Sequence, residues 1–141
     1  MNWHRLSTNP EVIETLYGDA PPALEGCYVS SLRLDEHHGG SLRVGLSIKQ
    51  MPEAHNWPKD WWKESNRVHL ALLFSGLSAV RIEGWRVWAV ANVDLRRAGD
   101  GRSVELKLSG AWGHVAATSD SMSVQVHAGR SVEGPENPCN L

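Results

Sequence analysis

The chain has 141 residues, 41% of them hydrophobic and 21% charged, with a formal net charge of −2. A domain of this length hides roughly two thirds of its unfolded surface and coheres without metal or disulfide help, so neither two ordinary domains nor wholesale disorder fits. Its 14 lysines and arginines are scattered singly apart from Arg96 and Arg97, which argues against the clustered basic surface that nucleic-acid binding requires.

The two cysteines, Cys27 and Cys139, are too far apart for a CxxC clamp and too few for a disulfide framework. The opening MNWHRLSTNPEV lacks a basic region followed by an apolar core, and no later run nears the roughly 18 apolar residues that span a bilayer. A cytoplasmic protein with no membrane contact and no cofactor is the expectation. Residues 1–130 read as one domain. Residues 131–141, SVEGPENPCNL, read as a flexible tail, because two prolines and a glycine leave little to pack.

The first element is predicted to be a short helix. Asn9 is placed to cap it and Pro10 suits its first turn. Glu11 and Glu14 favour the positive end of its dipole, Val12, Ile13, Leu16 and Tyr17 make its apolar stripe, and Gly18 ends it. From Leu24 the period changes to two. Leu24 to Leu34 makes a strand in which Cys27 and Val29 share one parity and Leu32 and Leu34 the other, a switch that predicts a bulge. DEHHGG, residues 35–40, is a turn. Leu42, Val44, Leu46 and Ile48 then alternate with Arg43, Gly45, Ser47 and Lys49.

Residues 51–66 break the alternation, and Pro58 is placed to start a helical turn carrying Trp61 and Trp62. The β period returns with Val68, Leu70, Leu72 and Phe74, turns at Ser75 and Gly76, and resumes at Val80 and Ile82. Gly84 is expected to act as a bend between two neighbouring strands. Further strands follow around Val93, Val104 to Leu108, Trp112 to Ala117, and Met122 to Val126. The expected fold is mainly β (α+β): an antiparallel meander of about seven or eight strands, curled into a sandwich or a partly open barrel, with an N-terminal helix and a short helical insertion. Turns this short imply that consecutive strands are neighbours.

No catalytic signature such as GxSxG or HExxH is present. His37 and His38 have no partner at a metal-ligand spacing, so a solvated turn is the reading there and no metal is expected. His69 should face away from the core, and His114 and His127 could pair across the last two strands. Cys27 reads as a small core residue. Trp57, Trp61 and Trp62 lie among Lys59, Asp60, Lys63 and Glu64. Aromatics ringed by charge suit a protein-binding hot spot or a sugar-stacking platform; the alternative is that Trp61 is a lid on the sheet. Trp85 and Trp88 read as packing around the Gly84 bend.

The opening NWHRLSTNPEVIETLYGDAPPALEG, the strands SLRVGLSIK and RVHLALLFSGL, and above all VRIEGW resemble the immunity protein 50 family of bacterial polymorphic toxin systems, over roughly residues 3 to 128. The resemblance implies a mainly β, non-enzymatic protein that binds a cognate toxin domain in the cytoplasm and blocks it stoichiometrically. It supplies no set of contact residues. The candidates are therefore those of the composition: Trp57, Asp60, Trp61, Trp62 and Glu64, with Asp35 and Glu36 as acidic groups able to steer a basic toxin. A carbohydrate- or small-molecule-binding β domain is the alternative, and it requires an open groove floored by coplanar indoles.

Overall fold

A computed structural model describes residues 2–36, 39–84 and 89–129. Over these residues the alternating segments form six antiparallel strands: β1 (Cys27–Asp35), β2 (Ser41–Ile48), β3 (Arg67–Glu83), β4 (Ala89–Arg97), β5 (Val104–Gly110) and β6 (Gly113–Gly129). They close into a barrel in the order β1-β2-β3-β6-β5-β4. Closure rests on a short β1–β4 pairing, Cys27↔Ala91 to Val29↔Ala89. The alternation sends Leu42, Val44, Leu46 and Ile48 of β2, Val68, Leu70, Leu72 and Phe74 of β3, and Val104, Leu106 and Leu108 of β5 into one core. Each such side chain contributes roughly 1.5–3 kcal/mol by leaving water.

The mainly β class holds, and of the two layouts expected the barrel is the one formed. The strand number is lower than expected, because two predicted turns are bends within strands. Ser75 and Gly76 do not reverse the chain. Instead β3 runs through them, and the register with β6 shifts between Leu77 and Ala79. β6 likewise joins the two segments read around Val115 and Val124. A glycine at positive φ serves a bend within a strand as well as a turn. The partner strand decides which, and the Asp120 side chain sits where a Gly76 Cβ would project.

The simple meander is also corrected. β1, β2 and β3 are consecutive neighbours, and so are β4, β5 and β6, but β3 and β4 are separated by β6 and β5. β3 and β4 are thus consecutive in the chain, with few residues between Gly84 and Ala89, and yet not neighbours in the sheet. Five residues can reach about 16 Å, enough for the three inter-strand steps of roughly 4.8 Å each. Trp85 and Trp88 lie outside the described residues, as do His37, His38 and the 131–141 tail.

The bulge expected in β1 is present, between Val29 and Ser31. The N-terminal helix, α1 (Glu11–Tyr17), forms with Ile13 and Leu16 buried and Gly18 at its end. Asn9 does not cap it: its side chain binds the backbone of Val124 instead. Before the helix, a 3-10 turn (Trp3–Leu6) buries Trp3, whose indole N–H donates to the Pro22 carbonyl at 2.9 Å.

Candidate protein-binding surface

The irregular connection between β2 and β3 is tied down at several points. Its one regular element is a 3-10 turn, Ala54–Asn56, so the helical turn comes before Pro58 and not after it as expected. The Asn56 amide donates to the Leu16 carbonyl of α1 at 3.1 Å, and the Tyr17 hydroxyl donates to the Gln50 carbonyl at 2.7 Å. Backbone bonds Trp61 N–H to Pro58 O and Ser65 N–H to Trp62 O then fold residues 58–65 into successive turns.

Those turns divide the tryptophans. Trp61 is half-buried against the core, the lid arrangement. Trp57 is also half-buried; its indole N–H donates to the Pro52 carbonyl at 2.9 Å, and its ring lies 5.8 Å from that of Trp61, tilted by 55°. A pair tilted that far offers no flat floor for a sugar ring. Trp62 points outward, 55% exposed, and Lys59, Asp60, Lys63 and Glu64 around it are exposed as well.

Asp35 and Glu36 do not join this group. Asp35 pairs with Ser41, which pairs with Ser75, whereas the tryptophan-bearing connection leaves β2 beyond Ile48, which pairs with Val68. Seven residue steps along a strand separate the two ends, roughly 23 Å. The Asp35 carboxylate is engaged locally by Arg33 at 3.5 Å. The seven candidates therefore form two patches at opposite ends of the β2–β3 pair.

The histidines pair differently from expectation. His114 and His127 lie on the same strand, so they cannot pair across two. His114 stands opposite Glu83, 3.5 Å from its carboxylate, and His127 stands opposite His69. His69 does face outward. Cys27 is buried, and burial pushes its thiol up to about 11, which keeps it protonated and unreactive at neutral pH. No group of three or more histidine, cysteine, aspartate and glutamate side chains is arranged for a metal among the described residues, and none of their helices is long and apolar enough to cross a membrane.

A second exposed apolar place has no signature in the sequence. Val80 and Ile82 lie on the core-facing parity of β3, yet they are 36% and 38% exposed. The cause is that β2 ends opposite Ser75 while β3 continues to Glu83. Alternation alone cannot reveal where a neighbouring strand stops.

Compared with known proteins, residues 9–128 match the family model described as Immunity protein 50. No curated protein and no solved structure matches the chain.

Proposed function

The chain belongs to the immunity protein 50 family, and on that premise we propose that it binds a cognate toxin protein in the cytoplasm of a bacterium and neutralises it by stoichiometric occupation, with no catalysis of its own. The observation that carries this reading is the family match over most of the chain. A standard interface would cover about 800 Å² on each partner, with a few aromatic or charged anchors supplying most of the energy.

The exposed Trp62 with Asp60 and Glu64 is the proposed centre of contact. Trp61 packs that loop against the barrel core, Trp57 braces it through Pro52 and the Trp61 ring, and Asp35 and Glu36 form a separate acidic patch able to guide a basic partner. An anchored loop presenting a large indole at low entropic cost suits a preorganised interface.

The test is coexpression with the toxin domain encoded beside this gene. Rescue of growth and recovery of a one-to-one complex are expected. A toxin domain that still kills, and that does not bind the purified protein, overturns the assignment.

A further inference from the structure

Outside that surface, the outer face of β1, β2, β3 and β6 carries a dip whose polar groups are left unused. Its floor is Gly45 and Ala71, paired with each other and, through Gly45, with Ser31. Around it stand Ser30, Ser31, Arg43, His69 and His127. No hydrogen bond or ion pair among the described residues engages any of these five side chains. By contrast Arg33, Arg81 and Arg96 each face a carboxylate, and Arg97 donates to the Arg102 carbonyl.

The β1 bulge builds this arrangement. Successive residues of a regular strand point to opposite faces, but the extra residue at Ser30 turns both serine hydroxyls to one spot. Both oxygens lie where a Gly45 side chain would begin. Glycine at 45 therefore makes room for two adjacent donors. Arg43 stands one outward position to one side of Gly45, and His69, opposite Ser47, one position to the other, each roughly 7 Å along the strands. His127 is beside His69 on β6.

No carboxylate lines the dip. Arg43 stands directly opposite Arg33, a like-charge pairing that costs stability. Burial first, then the positive charges of Arg67 and His127, hold the His69 imidazole below its ordinary pKa. The facing groups are thus Tyr28 and the two serines from β1, Arg43 and Ser47 from β2, Arg67 from β3 and His127 from β6, none of them a carboxylate.

We propose that this dip is an oxyanion-binding site for a phosphate group, with Arg43 as the charged anchor, the Ser30 and Ser31 hydroxyls as paired donors, and the His69 and His127 imidazoles at its far rim. Arginine and hydroxyl donors converging on small-residue backbone match the compact, multiply accepting oxygens of phosphate. The site stands independently of the toxin-binding reading and uses none of its residues.

The test is a titration of the intact protein with inorganic phosphate, followed by the imidazole NMR signals of His69 and His127, with sulfate and acetate as comparison anions and phenyl phosphate as a monoester. Saturable shifts at millimolar phosphate, and a His69 pKa that rises when phosphate is bound, are expected. Arg43→Gln should weaken binding about tenfold, the effect of one charge-assisted hydrogen bond. Gly45→Ala should do likewise, because its methyl group displaces the two hydroxyls; unchanged melting and circular dichroism would show both variants folded. Tighter binding of phenyl phosphate than of inorganic phosphate would identify a monoester, and the reverse a free anion, both within the proposal. Non-saturable shifts, acetate acting as well as phosphate, or equal binding by folded Arg43→Gln overturns it.

Discussion

Asn9 and Val124 exchange two hydrogen bonds: the Asn9 amide donates to the Val124 carbonyl at 2.8 Å, and the Val124 N–H donates to the Asn9 side-chain oxygen at 2.9 Å. A side-chain amide thus behaves as one residue of a β-strand, pairing the outer edge of β6 just before α1 begins. The Thr8 N–H donates to Met122 on the same edge at 2.7 Å, so the N-terminal segment closes an edge that would otherwise template association.

Replacing Asn9 with alanine strands a partly buried donor and acceptor of the β6 backbone. The expected loss is about 1–3 kcal/mol in chemical denaturation. Asn9→Asp keeps the acceptor for the Val124 N–H but sets a carboxylate against the Val124 carbonyl, so it should also destabilise. An Asn9→Ala variant as stable as the parent would show that the pair contributes nothing net.

Gly84 has φ of 71°, and a Cβ there would overlap the Trp112 carbonyl oxygen. Gly84→Ala should therefore cost about 2 kcal/mol or more, from the left-handed backbone and the overlap together. Gly99 has open space around its Cβ position, so Gly99→Ala is the control, expected to stay within about 0.5 kcal/mol of the parent. Equal melting of the two variants would refute the account of the β3 end.

The three loop tryptophans should separate by assay. Trp62→Ala is expected to leave thermal melting unchanged and to weaken toxin binding by about 2 kcal/mol, the scale of a hot-spot anchor. Trp61→Ala should instead lower stability by about 2 kcal/mol, less than the loss for a fully buried indole. Trp57→Ala, which removes the bond to Pro52 and the ring contact with Trp61, should also lower stability. Calorimetry of each variant, with and without the toxin domain, distinguishes these outcomes.

Cys27 gives a pH signature. Its thiol is raised from 9.0 in the unfolded chain to about 11 in the fold by burial. The associated stability is complete below pH 9 and is lost as the pH rises through about 11, because only the unfolded chain gives up the proton readily. The loss should be on the order of 2 kcal/mol. Tyr17, also raised by burial, acts in the same direction at higher pH. Denaturation midpoints measured from pH 8 to 11 should fall, and Cys27→Ala should flatten that fall; an identical pH profile in Cys27→Ala would contradict it.

Much of this molecule is written in local chemistry. Alternation marks Leu42 to Ile48 and Val104 to Leu108 as half-buried strands because successive side chains must point to opposite faces. The parity change between Val29 and Leu32 announces a bulge, and Gly18 stops α1, for equally local reasons. The family resemblance, too, was carried by short motifs such as VRIEGW.

Relations between distant residues were not legible. Whether Gly76 turns the chain or bends it depends on Asp120, and whether Gly84 joins neighbours or non-neighbours depends on β5 and β6 filling the space between. Asp35 and Glu64 read as one acidic set, but the β2–β3 register sets them at opposite ends of a strand pair. Ser30 and Arg43 gave no signal in the sequence, and His127 read as a partner of His114 and not of His69, because each is an ordinary surface residue on its own strand and the register alone sets its neighbours. Sequence alone determined which segments become strands and which side of each is apolar, since those are properties of adjacent residues. Only the tertiary structure decided strand order, barrel closure and which polar groups meet, since those depend on backbone pairing between segments far apart in the chain.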